Sequence, residues 1–377
     1  MLTSVAVVAA AGLTLAGCAQ SSSAADATGS DKKLTVFISA DTNIQDLWQK
    51  TLIPAFEKAN PGYDVSVDFD LHGLHDQQTV AKLTAATVQH KDPGYDLVDA
   101  GFVAQLAASG LLTKATPTDI PGLKDVPSDV RAAGGVGGIP YRGSSVVLAY
   151  DTKTVATPPK TLDDLLAWIK ANPGKFTYNS PDSGGSGGAF VTTVLDKSVS
   201  ASDRTKMVTG YAPETETAWD TGFATLAGLN PYVYQKGVYP NGNNQVLDLL
   251  SSGQISMAPV WSDQFVTGKK TGQIPANIAY TQISDPSFTG GASYLGIPSA
   301  SPRQKAAETL ASWLLTPDAQ ALVSDSISGY PVIALAKLPA PVQALFKDAD
   351  IAHLRPGYFA TMSADMNKAW AQKVPGK

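Results

Sequence analysis

The chain has 377 residues, of which 44% are hydrophobic and 16% charged, and such a composition is typical of a globular protein with about two domains. Its 28 Lys and Arg against 33 Asp and Glu give a net charge of −5, so the electrostatic signature of a nucleic-acid-binding protein is missing. The only cysteine, Cys18, excludes a disulfide framework and a cysteine metal site.

An apolar leader opens the chain. Residues 4–17 have the sequence SVAVVAAAGLTLAG, which is too short to span a bilayer and has the length of a signal-peptide core. It ends in Leu-Ala-Gly before Cys18, which resembles the lipobox of bacterial lipoproteins. We predict a signal peptide with a lipidated Cys18 over 1–18 and a flexible tether over 19–33. No Lys or Arg precedes Cys18, so the usual basic region is missing.

Alternating strand and helix patterns follow the tether. Runs such as LTVFISA and VSVDFD are typical of strands, whereas apolar residues at helical spacing lie between them. The predicted order is a strand at 34–40, a helix from 44 that Asn60-Pro61-Gly62 stops, a strand at 65–70, a helix at 76–91 and a strand at 95–100. This alternation predicts an α/β fold with a mostly parallel sheet.

The loops that leave these strands contain the first candidate ligand contacts. In open α/β sheets, ligands bind outside the carboxyl ends of the strands. Asp41, Thr42 and Asn43 follow the first strand, and Gly101 follows the third. Ordinary capping of the next helix by Asp41 or Thr42 is the alternative explanation for their position.

Four later segments, taken in order, resemble one protein family. The first contains IPY, VVLAYDTKTV and PPKTLDDLLAW, in which Thr161 and Asp164 form a capping-box pattern. The others are NNQVLDLLSSGQISMAPVWSDQ (243–264), YLGIPSASPRQKAAETLASWLLTPDAQALVSD (294–325) and SGYPVI (328–333). Their order resembles the bacterial extracellular solute-binding proteins of ABC importers, especially the branch that carries thiamine, polyamines, iron or sugars. The resemblance covers nearly all of 34–335.

The resemblance implies an α/β fold of two lobes, the type II periplasmic-binding-protein fold. Each lobe would be a mostly parallel sheet flanked by helices, and hinge strands would join the lobes. The expected boundaries are crossovers near 143–146 and 283–286, lobe 1 at 34–143 plus 286–315, and lobe 2 at 144–285 plus 316–377. Proteins of this kind close like a hinge around a ligand.

The same layout implies further cleft residues. Trp261 and Asp263 leave a strand at the cleft, where an indole face can stack on a cation and a carboxylate can pair with it. Tyr141 and Arg142 precede the first crossover, and Arg142 could hold a carboxylate or phosphate. The set is completed by Tyr294 and Tyr330. The alternatives are a core or hinge position for Trp261 and a surface ion pair for Arg142.

The segment NSPDSGGSGGAF (179–190) allows two interpretations. Its middle matches G-x-S-x-G, the nucleophile elbow of α/β-hydrolases, with Ser186 as the nucleophile. The preceding strand pattern ends well before Ser186, however, and His353 is the only histidine after it. We therefore favour a loop that opens a helix, in which Gly185, Ser186 and Gly187 offer backbone N–H groups to an anion or polar oxygen. A plain flexible turn is the other alternative.

A metal site is a weaker hypothesis. The stretch LHGLHD contains His72, His75 and Asp76, and imidazole with carboxylate suits zinc. No third histidine lies nearby in the sequence. We therefore predict a solvated loop and no bound metal.

The predicted function is that of a lipid-anchored receptor at the extracellular face of the membrane or in the periplasm. It would be a monomer that captures a small organic solute by hinge closure and delivers it to the membrane permease of an ABC importer. Asp41, Asp263 and Trp261 favour a cationic or zwitterionic solute, such as thiamine, a thiamine phosphate or a polyamine. We expect no cofactor and no catalysis. The alternative is a secreted serine hydrolase that uses Ser186.

Overall fold

The structure is a computed structural model that describes residues 31–347 and 354–375. Within these residues, seven strands form one mixed sheet in the order β2-β1-β3-β7-β4-β5, with β6 paired to β4. The strands are β1 (Lys33–Ala40), β2 (Asp64–Leu71), β3 (Leu97–Asp99), β4 (Gly138–Asp151), β5 (Met257–Trp261), β6 (Ile278–Thr281) and β7 (Gly290–Gly296). The predicted leader and Cys18 lie outside the described residues.

Helices flank the sheet. The first is continuous from Thr42–Asp46 through the π-helical segment Leu47–Leu52 to Ile53–Ala59. The further α-helices of the described residues are Asp76–Gln89, Val103–Ala108, Ser128–Ala133, Leu162–Ala171, Gly185–Asp196, Ala201–Thr209, Asp220–Gly228, Asn243–Ser251, Ser262–Thr271, Gln304–Leu314, Pro317–Ile327, Ala340–Phe346 and Ala360–Lys373. The strand and helix alternation predicted for 34–100 is confirmed.

The predicted capping box is present at the start of Leu162–Ala171. The Asp164 N–H donates to Thr161 Oγ1 at 3.1 Å, and the Thr161 N–H donates to the Asp164 carboxylate at 3.3 Å. Two N–H groups that have no partner inside the helix are thereby satisfied. The side chains of the predicted capping pattern, Thr161 and Asp164, therefore satisfy the main-chain groups at the start of this helix.

The long strand β4 runs through both lobes. Ser145 lies opposite Gly290 of β7, and the next residue, Val146, lies opposite Trp261 of β5. The first part of β4 thus belongs to the sheet of the first lobe, and its second part pairs with β5 and β6 in the second lobe. This change of partner falls inside the crossover predicted near 143–146.

The chain returns to the first lobe just before β7. Ser284 still bridges to Thr161 in the second lobe, and β7 begins at Gly290. The return crossing therefore lies after Ser284 and before Gly290, which extends beyond the predicted 283–286.

Buried apolar residues form separate cores for the two lobes. Trp48 and Leu97 lie in the core of the first lobe, and Phe190 and Trp219 lie in that of the second. In each lobe a smaller cluster covers the other face of the sheet. Burial of this apolar surface is the main force that holds each lobe together.

One predicted lobe boundary is corrected by the packing. The prediction assigned 316–377 to lobe 2, but the helices Pro317–Ile327 and Ala340–Phe346 contribute Val323 and Phe346 to the core of the first lobe. The last helix, Ala360–Lys373, packs in the second core. An amphipathic pattern shows that a helix has an apolar face, but it does not specify which of two cores that face covers.

The predicted two-lobe α/β fold is confirmed, although the strand directions differ in the second lobe. β1 is parallel to β2 and to β3. β7 is antiparallel to β3 and β4, and β4 is antiparallel to β5 and β6. Among the named strands, parallel pairing is thus confined to the first lobe. The reason is that β4 serves both lobes in one direction, and its neighbours run back along it.

Candidate functional site

Parallel strands of the first lobe end at one edge of the sheet. Ala40, the last residue of β1, lies opposite Leu71, the last residue of β2. Asp41 and His72 follow these residues directly, and β3 ends near the same edge with Asp99. The carboxyl ends of parallel strands therefore place two carboxylates and an imidazole at one side of the lobe.

The second lobe faces this edge with the N-termini of two helices. Asn243 begins the helix Asn243–Ser251, and Asp263 lies in the first turn of the helix Ser262–Thr271, directly after β5. Both side chains are buried. A helix N-terminus carries a partial positive charge, which favours the Asp263 carboxylate at that position.

Two hydrogen bonds join the lobes across the cleft. Asn243 Nδ2 donates to Asp41 Oδ2 at 2.7 Å, and Asn43 Nδ2 donates to Asp263 Oδ2 at 3.2 Å. Asp41 occupies the N-cap position of the first helix but makes no side-chain capping hydrogen bond. Capping therefore does not explain the Asp41 carboxylate, which is directed at the second lobe instead.

The imidazole of His72 contacts the other oxygen of Asp41. Its Nδ1 lies 2.7 Å from Asp41 Oδ1, and the two side chains are 16% and 13% exposed. The hydrogen bond with Asp41 raises the pKa of His72 above its ordinary 6.5, and desolvation opposes this rise. His75 instead pairs with Asp70 at 2.9 Å. In the part of the chain that the structure describes, no group of three or more His, Cys, Asp or Glu side chains could hold a metal ion.

The glycine-rich segment forms the start of the helix Gly185–Asp196. Ser186 is fully buried, and its Oγ lies 2.6 Å from Asn243 Oδ1 and 2.9 Å from Asn179 Oδ1. Amide oxygens cannot act as the general base that a serine nucleophile needs, and His353 lies outside the described residues. The hydrolase alternative is therefore not supported, and Ser186 orients Asn243 instead.

Two glycines allow close approaches at this turn. A β-carbon at Gly185 would lie 2.7 Å from Cζ2 of Trp261, whose indole is partly buried against the second core. A β-carbon at Gly187 would collide with the main-chain carbonyl of Asn179. The absence of side chains thus lets the helix start pack directly on Trp261 and on the loop that contains Asn179.

Tyr141 and Arg142 lie at an irregularity of β4. The register with β7 shifts between Pro140 and Arg142, so Tyr141 is the extra residue of a β-bulge. Tyr141 Oη donates to Asp99 Oδ2 at 2.5 Å, and Trp48 Nε1 donates to the same oxygen at 2.9 Å. Burial raises the pKa of Asp99, and the Arg142 charge and these two hydrogen bonds oppose the rise.

Arg142 connects the carboxylates of both lobes. Its Nε donates to Tyr141 Oη at 2.7 Å, and its Nη1 lies 3.9 Å from Asp263 Oδ2. Ser144 Oγ, on the same strand, donates to Asp263 Oδ1 at 2.5 Å. Arg142 is buried, so it is not the surface ion pair considered from the sequence. It provides the positive charge between Asp99 and Asp263.

Four predicted residues lie apart from the hydrogen bonds that the described residues make at this cleft. Thr42 and Gly101 are exposed. Tyr294 Oη donates to a main-chain carbonyl of the first lobe at 2.7 Å. Tyr330 Oη lies 2.9 Å from Ser145 Oγ, at the hinge strand. The structure gathers the remaining predicted residues, Asp41, Asn43, Tyr141, Arg142, Gly185, Ser186, Gly187, Trp261 and Asp263.

Sequence reasoning missed Asp99, Ser144, His72, Asn243 and Asn179 of the network. His72 follows β2 as Asp41 follows β1, so the rule that selected Asp41 applied to it equally. Asn243 follows Gly242, which has a φ of +95°, at the start of a helix beside the cleft. Asn179 has no comparable signal, because its role depends on the approach of Gly187 in the folded chain.

Comparisons with known proteins establish the family. A family model described as bacterial extracellular solute-binding protein matches residues 51–350, which is most of the chain. This chain belongs to the bacterial extracellular solute-binding proteins. Protein YnjB of Escherichia coli (strain K12) is 27% identical over 207 residues, which are 53% of this chain and 52% of that protein. The solute-binding protein described here thus spans about half the length of the curated relative that it matches.

Solved structures share the fold of this solute-binding protein. An ABC transporter substrate-binding protein from Bradyrhizobium japonicum USDA 110 is 20% identical, with a TM-score of 0.63, and the match covers 90% of this chain and 98% of that one. The Tp0655 (TpPotD) lipoprotein of Treponema pallidum is 15% identical, with a TM-score of 0.66, and 91% and 100% of the two chains are covered. The type II periplasmic-binding-protein fold is confirmed by this likeness.

Family membership also decides between the two predicted classes. The family model is that of solute-binding proteins, which agrees with the prediction of a binding protein rather than an enzyme. Within residues 31–347 and 354–375, no helix combines the length and apolar character needed to cross a membrane.

Proposed function

We propose that this solute-binding protein captures a small organic cation or zwitterion between its lobes and delivers it to the membrane permease of an ABC importer. The observation that carries the proposal is a pair of carboxylates at the cleft, Asp41 from the first lobe and Asp263 from the second. Each accepts a hydrogen bond from an amide of the opposite lobe. A solute held by both lobes stabilises the closed arrangement, which couples capture to a change of shape.

The balance of charge at the cleft favours a cation. Asp99 and Asp263 are buried, Asp41 is nearly so, and Arg142 is the permanently charged cation of this network. A buried carboxylate needs compensation by a positive charge or by hydrogen-bond donors. Asp99 and Asp263 share the Arg142 charge, whereas Asp41 faces His72, which is positive only while it is protonated. An ammonium or quaternary nitrogen would neutralise the remainder.

The solute types that fit are thiamine, a thiamine phosphate or a polyamine. The Trp261 indole provides an aromatic surface beside Asp263, and aromatic faces attract organic cations. Arg142 is engaged by Tyr141 and Asp263, so the exposed helix start at Gly185 is the better position for an anionic end of a zwitterion. A phosphate group would therefore contact this turn, whereas the cationic part would contact the carboxylates.

A lipid anchor belongs to the same proposal. The Leu-Ala-Gly-Cys pattern that ends at Cys18 would carry acyl chains, and the tether at 19–33 would give the lobes reach from the membrane surface. The similar Treponema pallidum structure is that of a lipoprotein, which supports the anchor. Labelling cells with a fatty-acid analogue tests it, because Cys18→Ser should abolish the label. Labelled Cys18→Ser protein would contradict the anchor.

A thermal-shift screen tests the receptor function. The purified protein is heated with thiamine, thiamine phosphates, polyamines, sugars, amino acids or oxyanions. A ligand at about 1,000 times its Kd adds about 4 kcal/mol to the free energy of unfolding, which raises Tm by several degrees. We expect organic cations to give this shift and to be recovered unchanged. The absence of a Tm shift with every compound of the panel would contradict the proposal.

A matched pair of variants tests the role of the carboxylate. Asp263→Asn keeps the size of the side chain and removes its charge, and we expect affinity for the stabilising cation to fall by about tenfold or more. The control is Asp163→Asn, whose carboxylate is 71% exposed and pairs with Lys197 away from the cleft. Calorimetric titration should show unchanged affinity for this control. An unchanged affinity in Asp263→Asn would exclude a cation site at this carboxylate.

A further inference from the structure

We infer that Asp41 forms, together with Asp263, the cation subsite of the cleft and that the protonated imidazole of His72 competes with the solute for Asp41. The inference rests on the proposed function, because it concerns the same cleft. Its consequence is that binding of a cation releases a proton, so that affinity rises with pH.

Each oxygen of Asp41 has a nitrogen neighbour, an ion-pair contact at Oδ1 and a hydrogen bond at Oδ2. His72 Nδ1 lies 2.7 Å from Oδ1, and Asn243 Nδ2 lies 2.7 Å from Oδ2. His72 belongs to the first lobe and Asn243 to the second, so the carboxylate is covered from two sides. A cationic group of a solute reaches Asp41 when one of these two donors leaves.

His72 is the donor that can leave. Asn243 is fixed from behind by Ser186 Oγ at 2.6 Å, inside the packed start of a helix. His72 lies in the short loop after β2, where it and Gly73 both have left-handed backbone conformations, with φ of +60° and +72°. Non-glycine residues adopt this conformation uncommonly, and residues held in it are found more often at functional positions.

The ring of His72 approaches the second lobe at the main chain of a glycine, Gly242. A β-carbon at Gly242 would lie 3.0 Å from His72 Nε2, and Gly242 has a φ of +95°, which favours glycine. The imidazole therefore lies between the lobes without interlocking with a side chain at Gly242. It can swing out with its own loop without displacing a neighbour at that point.

The charged groups near His72 leave Asp41 as its acidic partner. Asp70, near the end of β2, is engaged by His75, which contacts it through both its N–H at 2.7 Å and its ring nitrogen at 2.9 Å. The hydrogen bond with Asp41 raises the pKa of His72, which extends the pH range in which the competing imidazolium exists.

The neighbouring elements add no other acid to this contact within the described chain. Asp76, at the start of the next helix, faces Ser39, which opposes the rise that burial causes in the pKa of this carboxyl. From the second lobe, the helix Asn243–Ser251 presents its N-terminus, which carries partial positive charge.

The exchange involves no covalent change. The solute cation occupies the position at Asp41 Oδ1, the imidazole loses its acidic partner, and the pKa of His72 falls toward the ordinary 6.5. Above that pH the proton passes to solvent. Cation binding and proton release are then linked, and each must affect the other by the same factor.

Binding measurements at two pH values test the exchange. Thiamine and tetramethylammonium are titrated into the full chain at about pH 5.5 and about pH 8, at constant ionic strength. We expect a lower affinity at the lower pH, because the imidazolium competes for Asp41 there, and the factor should equal the one set by the shift that the cation causes in the pKa of His72. His72→Asn should bind with similar affinity at both pH values, and asparagine tolerates the left-handed backbone.

A matched control and an independent readout complete the test. His75→Asn, whose ring contacts Asp70 and not Asp41, should retain the full pH dependence. The NMR titration of the His72 ring, assigned from His72→Asn, should show a lower pKa at saturating tetramethylammonium.

Three results would overturn the inference. They are an affinity independent of pH, a His72 pKa that the cation leaves unchanged, and no binding of either cation at either pH. In each case the receptor function would still stand if another solute of the thermal-shift panel stabilised the protein. Failure of the inference is thereby distinguishable from failure of the proposed function.

Discussion

Asn243 of the second lobe donates a 2.7 Å hydrogen bond to Asp41 of the first lobe, and Ser186 Oγ fixes Asn243 at 2.6 Å from behind. The glycine-rich segment thus contributes to the cleft by orienting an amide. Its serine is buried and contacts amide oxygens, so its importance is positional. Because Asn243 bonds Asp41 across the cleft, a substitution of Asn243 should affect closure of the lobes.

Replacing the amide of Asn243 by a carboxylate should open the cleft. In Asn243→Asp a second negative charge would face Asp41, and such a pair in a partly buried site costs about 2–4 kcal/mol. We expect a larger radius of gyration in small-angle X-ray scattering near neutral pH. The control is Asn244→Asp, because Asn244 accepts a hydrogen bond from Gln264 within the second lobe. Identical scattering curves for Asn243→Asp and the wild type would disprove the cross-lobe contact in solution.

Gly187 and Gly188, adjacent at the start of the helix Gly185–Asp196, should differ sharply in how well they tolerate substitution by alanine. Gly187→Ala would drive a methyl group into the Asn179 carbonyl, and we expect a loss of about 2–3 kcal/mol in the free energy of unfolding. At Gly188 the nearest atom to an added β-carbon is 3.8 Å away, so Gly188→Ala should be neutral or stabilise by about 0.5–1 kcal/mol. Urea unfolding measures both. Equal stability of the two variants would show that Gly187 does not pack as described.

Removal of the Arg142 guanidinium, which lies between two buried carboxylates, should lower the free energy of unfolding strongly. Arg142→Met leaves Asp99 and Asp263 without their shared positive charge, and removing one partner of a buried ion pair costs about 3–5 kcal/mol. The additional change Asp99→Asn should recover part of this loss, because it removes one of the uncompensated charges. Thermal or urea unfolding of the single and double variants measures the coupling. If the losses of stability in the two single variants simply add in the double variant, Arg142 and Asp99 are not coupled.

The partly buried carboxylate of Asp76 should lower the free energy of unfolding near neutral pH. Burial raises its pKa to about 6 from an ordinary 3.8, so the folded state binds more protons than the unfolded state between about pH 4 and 6. The contribution of this group to stability therefore falls as pH rises through that window. Asp76→Asn should raise the free energy of unfolding by about 1–2 kcal/mol at pH 7 and have little effect near pH 4.

The control for Asp76 is another aspartate in the first turn of a helix. Asp318 is exposed at the start of Pro317–Ile327, and Asp318→Asn should change stability little at either pH. A stabilisation of Asp76→Asn that is the same near pH 4 and at pH 7 would rule out the raised pKa as its cause.

The sequence was a good guide to local structure. Thr161 and Asp164 form the predicted capping box, and the strand patterns near 34–40 and 65–70 correspond to β1 and β2. These features depend on residues close together in the chain. The assignment of 316–346 to the second lobe failed because Val323 and Phe346 show only that their helices have apolar faces. The choice between two cores is made by long-range packing.

The candidate site was predictable to the extent that it follows strand ends. Asp41 and Asn43 were selected by that rule, and His72 could have been selected by it as well. Asn179 and Asn243 could not be paired with Ser186 from the sequence, because their contacts join segments far apart in the chain. The burial of Arg142 follows from the position of β4 between the lobes, where nearly all of its residues are buried, and the strand pattern did not indicate this.

Isothermal titration calorimetry with an organic cation that raises Tm, followed by mass spectrometry of the recovered solute, tests the central claim most directly. The account predicts saturable heat with one solute bound per chain, full recovery of unchanged solute and a strongly reduced affinity in Asp263→Asn. The result that would contradict it is a cation that binds Asp263→Asn as tightly as the wild type, or one that is converted to product during the titration.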